Sequence, residues 1–552
     1  MLSTMMDVPL TVTALMRYGT TVYGDSQVVT YTGDGVTRQS YAETGARAAR
    51  LAGALRQLGV TGDQRVATLL WNNAEHLEAY LAVPSMGAVL HTLNLRLAPD
   101  QIGYIANHAE DYAIITEPTL APLLAQVLPH LKTVRHILLT GSPAGPETGA
   151  ADMLVGPNHE VHLYEELLGS AEETFSWPDL DERTAAAMCY TSGTTGMPKG
   201  VVYSHRSTYL HSMGVCLGNV FALSDLDRVL PVVPMFHANA WGLAYASVLS
   251  GADLIMPGRF LQPEHLVRLI EAERPTIAGA VPTIWTGLLQ YIRANGGDIS
   301  SLRLVPCGGS AVPHSLMAAF EKELGVTILQ AWGMTETSPL GSVARPPRGL
   351  TGDEAWKYKD TQGRLFCTVE GRLVGDEGSV LPNDGVAVGE VQVRGPWITG
   401  SYYKDDDPAK FDHGWLRTGD VGTIDRLGYV TLTDRAKDVI KSGGEWISSM
   451  ELENSLMAHP DVSEAAVIGV PDEKWGERPL AAVVVAKGAT VTPEELRAFL
   501  ADRGVPRWQL PERWAFIDEV PKTSVGKFAK TRMRDAFARG DYKVVTVESR
   551  AG

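Results

Sequence analysis

The sequence has no uninterrupted apolar run that approaches the ~18 residues of a membrane-spanning helix. Its first residues also lack the basic stretch and following apolar core that are typical of a secretory signal. We therefore expect no integral membrane segment, and any contact with a membrane would be peripheral. The expected location is the cytoplasm.

Cysteine is scarce as well, with four residues in a chain of 552. The four are dispersed, and no CxxC pair or Cys/His pair has the spacing of a metal site. This pattern favours reduced cysteines in the core of a cytosolic protein. The residues concerned are Cys189, Cys216, Cys307 and Cys367.

An excess of positive charge is also absent. The chain has 48 Lys and Arg residues against 64 Asp and Glu residues, for a formal net charge of −16. A chain this acidic is a poor overall binder of nucleic acid, so no nucleic-acid partner is expected. Its length predicts two to four domains, and we find no internal repeat.

Short apolar runs alternate with helical segments over the first half of the chain. Ser40 can cap a helix over 40–58, residues 62–70 are expected to form a turn and then a buried strand, and Pro84 should kink or end the next helix. Such alternation favours an α/β fold with parallel or mixed sheets and covering helices. Residues 140–182, rich in Gly, Pro, Asp and Glu, are expected to form an irregular excursion.

The pattern changes in the last third of the chain. Apolar residues alternate at period two from about 365 to 433, which predicts an antiparallel β subdomain. A charged segment then precedes about 110 residues of mixed strand and helix pattern, enough for a small α+β domain. We predict an N-terminal domain over 1–433, a hinge over 434–438 and a C-terminal lid over 439–552.

A loop rich in hydrogen-bond donors follows the apolar run 185–189. Residues 190–200 read YTSGTTGMPKG, with three glycines, four Ser/Thr hydroxyls and one lysine. Exposed N–H groups, hydroxyls and a lysine suit a polyphosphate, although the spacing is not that of a Walker loop. Taken alone, the stretch is also compatible with a surface turn.

Further motifs follow this loop in order. They are VPMFHANAWG at 233–242, PCGGSA at 306–311, QAWGMTETSP at 330–339, GWLRTGD at 414–420, DRAKDVIKSGGEWIS at 434–448 and PKTSVGK at 521–527. Because of these motifs and their order, the chain resembles the adenylate-forming superfamily, specifically its acyl-CoA synthetase branch for medium- or long-chain fatty acids. The resemblance covers most of the chain.

The resemblance implies ATP, Mg²⁺ and CoA as cofactors and a carboxylic acid as substrate. The residues that it assigns to the nucleotide are Thr191, Ser192, Gly193, Thr194, Thr195, Lys199, Gly308, Gly309, Ser310, Ala311, Gln330, Ala331, Trp332, Gly333, Met334, Thr335, Asp420 and Arg435. Trp332 would pack on adenine, Asp420 would bind the ribose and Glu336 would hold Mg²⁺. The alternatives are a core tryptophan, an aspartate that closes a turn and a surface glutamate.

Catalysis is assigned to Lys527, with Thr191 and Glu336 in support. A lysine that bridges the carboxylate and the α-phosphate would orient two anions and stabilise the charge that builds between them. Lys522 and Lys530, in the same tail, are expected to be surface charges.

The resemblance also implies an acyl site and a mobile CoA site. The acyl group would lie beside His237, Trp241, Gly308 and Gly333. Lys437 would be the hinge about which the C-terminal domain rotates between two half-reactions. The loop with Ser442, Gly443, Gly444 and Trp446 would then frame the CoA tunnel.

These residues leave several points open. The acid, its chain length and a homodimeric assembly cannot be read from the sequence. A ligase that loads a carrier protein and an enzyme that runs one half-reaction are the alternatives within this class. A silent homologue that binds nucleotide is the alternative outside it, and the presence of Lys527, Glu336 and the full donor-rich loop argues against that alternative.

Overall fold

The computed structural model describes residues 1, 3–141, 149–191, 197–375, 377–405, 407–435, 438–442, 445–523 and 528–547. For Arg435, Glu445 and Trp446 the description is limited to the backbone.

The α-helices of the described residues begin and end as follows: α1 Val12–Val22, α2 Tyr41–Gln57, α3 Ala74–Ser85, α4 Pro99–Ala109, α5 Ala121–Val127, α6 Ala150–Met153, α7 Tyr164–Ser170, α8 His205–Cys216, α9 Leu243–Ser250, α10 Pro263–Glu273, α11 Pro282–Asn295, α12 His314–Ala319, α13 Gly352–Lys359, α14 Ser449–Met457, α15 Pro493–Asp502 and α16 Lys530–Arg539.

The strands are β1 Gln27–Tyr31, β2 Val36–Ser40, β3 Arg65–Leu69, β4 Val89–Thr92, β5 Asp111–Thr116, β6 His136–Leu139, β7 Glu160–Leu163, β8 Ala185–Tyr190, β9 Gly200–Ser204, β10 Arg228–Pro231, β11 Asp253–Met256, β12 Ile277–Gly279, β13 Val305–Cys307 and β14 Ile328–Gly333. They continue with β15 Leu340–Val343, β16 Gly363–Leu365, β17 Glu370–Val374, β18 Val380–Leu381, β19 Gly389–Arg394, β20 Phe411–Asp412, β21 Trp415–Ile424, β22 Tyr429–Arg435, β23 Ile440–Ser442, β24 Glu445–Ile447, β25 Val462–Asp472, β26 Gly476–Val485, β27 Arg513–Phe516 and β28 Val544–Thr546.

A seven-stranded sheet has the order β7-β6-β5-β3-β4-β8-β9. All its neighbours run parallel except β8 and β9, which are antiparallel and flank the donor-rich loop. The expected irregular excursion over 140–182 is therefore wrong for its middle part, because β7 forms the edge of this sheet and α7 packs against α2. Strand β7 is four residues long, which is too short for the period of apolar residues to identify it.

Two further sheets complete the N-terminal part. The order β12-β10-β11-β1-β2 gives a five-stranded sheet, parallel except for β1 and β2. The predicted antiparallel subdomain is confirmed by a ten-stranded sheet, β13-β14-β15-β16-β22-β21-β19-β17-β18, with β20 beside β21. Its first pair is parallel and the remaining pairs are antiparallel.

Local signals set the helix ends as predicted. The Ser40 hydroxyl accepts from the N–H of Glu43, and the Glu43 side chain accepts from the N–H of Ser40, so α2 begins with a capping box. Pro84 lies in the last turn of α3, which ends one residue later.

The C-terminal part has its own sheet, made of strands that lie between residues 440 and 546. It is tied to the end of β22, where the Asp434 carboxylate accepts from the N–H of Ser449 at 2.8 Å. Lys530 lies in this packing at 8% exposure and pairs with Glu453 at 2.8 Å, so its prediction as a surface charge is wrong. Lys522 is partly exposed and pairs with Glu464 at 2.5 Å.

The four cysteine thiols are free. Cys189 and Cys307 are buried and Cys216 is partly buried, but Cys367 is exposed, contrary to the prediction of a core position. Among the described helices, none has the length and apolar character needed to span a bilayer.

Candidate functional site

The base of the donor-rich loop is closed by its two ends. The N–H of Thr191 donates to the carbonyl of Lys199 at 2.9 Å, and the N–H of Lys199 donates to the Thr191 hydroxyl at 3.1 Å. Thr191 thus has a structural partner in Lys199, and its role toward the nucleotide stays a prediction. The predicted phosphate ligands between them, Ser192, Gly193, Thr194 and Thr195, lie outside the described residues.

The Lys199 ammonium faces a segment that sequence reasoning did not single out. It lies 2.7 Å from Asp407, 3.0 Å from Asp405 and 5.0 Å from the centre of the Tyr402 ring. The hydrogen bond to Asp407 raises the pKa of Lys199, which therefore stays cationic at neutral pH. This lysine carries the charge expected of a phosphate ligand, held here by two carboxylates.

Glu336 is buried at 6% exposure, which rules out the surface alternative. Its carboxylate accepts from the Tyr402 hydroxyl at 2.6 Å, and its carbonyl accepts from the N–H of Thr399 at 2.8 Å. Within the described ranges, no ammonium or guanidinium group forms an ion pair with this carboxylate. A buried carboxylate oxygen in this setting fits a hard divalent cation such as Mg²⁺.

Tyr402 connects the two groups just described. Its ring lies under the Lys199 ammonium while its hydroxyl donates to Glu336. Next to it, the N–H of Tyr403 donates to the carbonyl of Gly200 at 2.9 Å. A cleft of about 390 Å³ opens beside this segment. The base of the loop and Glu336, 137 positions apart in sequence, are therefore neighbours in the fold.

The motifs at 306–311 and 330–339, both part of the predicted nucleotide site, are in direct contact. A Cβ at Gly308 would lie 2.5 Å from the carbonyl oxygen of Ala331, so the packing of the backbone alone requires glycine at this position. The side chain of Gln330 accepts from the N–H of Val312 at 2.6 Å, which anchors the loop that contains Gly309, Ser310 and Ala311. Gln330, which is 2% exposed, thus anchors this loop.

Trp332 and Asp420 form a buried pair. The indole N–H donates to the Asp420 carboxylate at 2.8 Å, and the two residues are 8% and 4% exposed. Gly341 lies against the indole, since a Cβ there would be 2.4 Å from the ring. Asp420 lies inside β21 opposite Arg435, so the turn alternative for Asp420 is wrong.

The next residues of this motif turn sharply. A Cβ at Gly333 would lie 1.8 Å from the carbonyl oxygen of Pro339, so this position requires glycine. The Met334 N–H donates to the Thr337 hydroxyl at 2.9 Å, and the Thr335 carbonyl accepts from the Tyr203 hydroxyl at 2.8 Å. The turn places Glu336 inward.

The predicted acyl segment adopts an uncommon backbone. Four consecutive residues without glycine, from Ala238 to Trp241, have positive φ angles between 42° and 58°. This left-handed region costs roughly 1 kcal/mol or more per residue, so the surroundings must hold it. His237 precedes the turn and Trp241 is its last residue. Both are partly buried, and Trp241 packs toward Gly279.

A buried polar cluster lies beneath the left-handed turn. The Asn239 side-chain oxygen accepts from the Tyr80 hydroxyl at 3.2 Å and from the Cys189 thiol at 3.4 Å. Thr92 contacts the same thiol at 3.3 Å. Burial raises the pKa of Cys189, so it stays a neutral thiol and serves as a hydrogen-bonding core residue.

His211 joins the acyl segment to the nucleotide motif. A Cβ at Gly242 would lie 2.5 Å from His211 Nδ1, and the N–H of Leu340 donates to Nε2 at 3.2 Å. Burial lowers the pKa of His211 to about 3, so the ring is neutral. The unfolded chain binds this proton near pH 6.5, so the stability that the neutral ring provides is present above that pH and lost as the pH falls toward 3.

We expect His211→Gln to remove this pH dependence. The amide can still accept from the N–H of Leu340, but the packing of the imidazole is lost, so the variant is less stable than the parent at pH 7. The difference in unfolding free energy narrows by about 2 kcal/mol on going to pH 5, because only the parent loses the stability of its neutral ring. Urea unfolding at the two pH values measures it. The exposed His413→Gln should leave the parent's pH dependence unchanged, and a constant difference for His211→Gln would contradict the assignment.

Several of the predicted hinge, CoA and catalytic positions fall outside the part of the chain that the structure describes. Lys527, Lys437, Gly443 and Gly444 lie outside the described residues, as does the side chain of Trp446. Ser442 is described and buried, and its hydroxyl accepts from Arg478 at 3.2 Å.

The residues that sequence reasoning missed are Tyr203, Tyr402, Asp405 and Asp407. The last three belong to the run YYKDDD at 402–407, where two tyrosines stand beside three acidic residues. Its partners, Lys199 and Glu336, are distant in sequence.

Comparison with known proteins places the chain. The AMP-binding enzyme family matches residues 18–403, and the AMP-binding enzyme C-terminal domain matches residues 451–527. The 3-methylmercaptopropionyl-CoA ligase of Ruegeria pomeroyi is 46% identical over 97% of this chain and 99% of its own length. The long-chain-fatty-acid–CoA ligase of Thermus thermophilus is 47% identical over 97% of each chain.

Solved structures agree with this assignment. The anthranilate CoA ligase AuaEII in complex with anthranoyl-AMP superposes with a TM-score of 0.85 at 25% identity, covering 97% of this chain and 99% of its own. ATP-bound MatB from Rhodopseudomonas palustris gives 0.80 at 26% identity, covering 96% and 99%. The chain belongs to the AMP-binding enzyme family, as its resemblance to the acyl-CoA synthetase branch of the adenylate-forming superfamily predicted.

Proposed function

We propose that this protein is an AMP-forming acyl-CoA ligase for an unbranched, apolar monocarboxylic acid. The observation that carries the proposal is that Tyr402 contacts both the Lys199 ammonium and the Glu336 carboxylate, while Trp332, four residues before Glu336, donates to the buried Asp420 carboxylate. An ammonium, a buried carboxylate and a second carboxylate beside an aromatic ring are the groups that a nucleoside triphosphate with its cation requires.

In the first step, a carboxylate oxygen of the acid attacks the α-phosphorus of ATP, and the bond to the β-phosphate oxygen breaks. Acyl-adenylate forms and pyrophosphate leaves. Lys199 would bind the β- and γ-phosphates together with the loop donors, and Asp420, oriented by Trp332, would accept from the ribose hydroxyls. Mg²⁺ held by Glu336 would neutralise charge on the phosphates.

In the second step, the CoA sulfur attacks the acyl carbon, and the bond to the AMP phosphate oxygen breaks. The products are the thioester and AMP. The first step takes place at the α-phosphorus and the second at the acyl carbon, with different attacking groups, which is why we assign rotation about Lys437 in the hinge 434–438. The bond from the Ser449 N–H to Asp434 is a contact at this junction that such a rotation would have to accommodate.

The substrate class follows from the chain's relatives and from its acyl segment. The two curated relatives above are named for 3-methylmercaptopropionate and for long-chain fatty acids, which share a linear chain and one carboxylate. The segment 233–242 contains no acidic residue to hold an α-ammonium group, which disfavours amino acids. His237 and Trp241 would contact the acyl chain.

Product analysis by mass spectrometry tests the proposal. The protein is incubated with Mg–ATP and one acid at a time, with and without CoA. The acids are 3-methylmercaptopropionate, butyrate, octanoate, palmitate and benzoate. Acyl-CoA and AMP from a linear acid are expected. Acyl-adenylate that accumulates without transfer to CoA would favour a carrier-loading ligase, and turnover of benzoate alone would overturn the substrate class.

Asp407→Asn tests whether the Lys199 ion pair competes with ATP. ATP must displace the carboxylate from the ammonium, so we expect the KM for ATP to fall about threefold, as for the loss of a partly exposed ion pair worth roughly 0.6 kcal/mol. Steady-state kinetics with ATP varied measures this. Asp179→Asn, which removes the same charge from an exposed position, is the control. A raised KM would mean that Asp407 positions Lys199 for the phosphates.

A further inference from the structure

Two histidines and a glutamate meet at the outer edge of the seven-stranded sheet. His136 is the first residue of β6, and Glu160 and His162 lie on the adjacent edge strand β7. His136 is directly opposite Glu160 in the ladder, and His162 follows two residues later on the same face. Strand pairing thus brings together three residues that are 24 and 26 positions apart.

Their ligand atoms have the separations of a metal site. His136 Nδ1 lies 3.1 Å from His162 Nε2, and the Glu160 carboxylate oxygen lies 3.7 Å and 3.6 Å from these nitrogens. Ligand atoms about 2.0–2.1 Å from a tetrahedral Zn²⁺ lie about 3.3–3.4 Å from one another. The three measured separations bracket that value, so a small adjustment would bring all three atoms into coordination.

The surroundings hold the two imidazoles in place. Their side chains are 13% and 18% exposed, whereas the Glu160 side chain is 73% exposed and can adjust. The His136 ring packs on Tyr112 with 5.5 Å between the ring centroids, and this contact restricts its orientation.

The ring nitrogens also indicate which ions would bind. Two imidazoles and one carboxylate suit Zn²⁺, Ni²⁺, Co²⁺ or Cu²⁺, whereas Mg²⁺ prefers oxygen ligands throughout. The cluster therefore differs in chemistry from the Glu336 site.

We propose that His136, Glu160 and His162 form a divalent transition-metal site that fastens the edge strand β7 to β6. It stands apart from the chemistry of the ligase. The donor-rich loop follows the last residue of β8, four to five strands away, roughly 20 Å across the sheet and at the other end of the parallel strands. A metal here would stabilise the fold without contacting substrates.

Calorimetric titration of the untagged 552-residue chain with Zn²⁺ tests the proposal, with Mg²⁺ at millimolar concentration throughout. We expect one equivalent of Zn²⁺ at micromolar affinity and a rise in melting temperature, since an ion that binds the folded form stabilises it. In His162→Gln both should be lost, and Glu160→Gln should weaken binding at least tenfold. The control is His413→Gln, whose side chain is 97% exposed.

Two outcomes would overturn the site. One is Zn²⁺ binding of unchanged affinity and stoichiometry in His162→Gln, which would mean that the ion binds elsewhere. The other is no binding to the parent protein at micromolar Zn²⁺, which would leave the pair as a histidine–histidine hydrogen bond alone.

With Co²⁺ in place of Zn²⁺, an absorption spectrum of tetrahedral type in the parent and its absence in His162→Gln would support the ligand set independently. Acyl-CoA formation by His162→Gln should match that of the parent, which separates this test from that of the ligase activity.

Discussion

Glu336→Gln is expected to lower the rate of acyl-adenylate formation by about 10²–10³-fold while the protein remains folded. Stabilisation of phosphate charge by a bound metal ion is worth several kcal/mol, and each 1.36 kcal/mol corresponds to a factor of ten in rate. Glutamine has the shape of glutamate and can still accept from the Tyr402 hydroxyl, which in the parent donates to the Glu336 carboxylate at 2.6 Å. The change therefore removes the charge and spares the packing.

The measurement is pyrophosphate release in a single turnover, with Mg²⁺ varied. In the variant we expect the Mg²⁺ requirement to rise together with the loss of rate. Tyr402→Phe is the matched control, because it removes the hydrogen bond and leaves the carboxylate charge, and about a tenfold loss is expected there. An unchanged rate at low Mg²⁺ in Glu336→Gln would show that this carboxylate does not hold the ion.

Local signals in the sequence predict much of this fold. The capping box at Ser40 and Glu43 begins α2, and the apolar run before the donor-rich loop is β8. Each feature depends on residues within a few positions of one another, and the period of the apolar residues reports which face is buried. The shift to period two near residue 365 likewise predicted the antiparallel subdomain that β17, β19, β21 and β22 form.

What the sequence does not reveal depends on contacts between distant segments. Tyr402 acquires its role because β9 and the loop after β19 place it between Lys199 and Glu336. Lys530 looks like a surface charge in a polar tail, yet it is buried against Glu453 because α16 packs on the C-terminal sheet.

The same limit applies to features that only the backbone reveals. The left-handed turn from Ala238 to Trp241 contains one asparagine and no glycine, so its residue types do not announce it. The cluster of His136, Glu160 and His162 exists only because β6 and β7 are neighbours, and β7 itself was too short to predict. For this cluster, the order of the strands in the sheet decides which residues meet.

The second large effect is expected for Lys527→Ala. The acid and the α-phosphate are both anionic, and a lysine between them would orient the pair and offset the charge that develops during adenylation. We expect the rate of adenylation to fall about 10³-fold, within the range seen when a group that stabilises a transition state is removed. Transfer of a pre-made acyl-adenylate to CoA should stay within about threefold of the parent, because phosphoryl charge no longer builds in that step.

Lys522→Ala is the matched control, since it removes the same charge from the same tail. Lys522 pairs with Glu464 at 2.5 Å and is partly exposed, so both half-reactions should be unaffected. Lys527 lies outside the described residues, and kinetics rather than contacts must decide its role. Pyrophosphate release measures the first half-reaction, and thioester formation from synthetic acyl-adenylate measures the second. An equal loss in both half-reactions in a folded Lys527→Ala protein would remove the lysine from the adenylation step, whereas a loss confined to the first half would place it between the two anions.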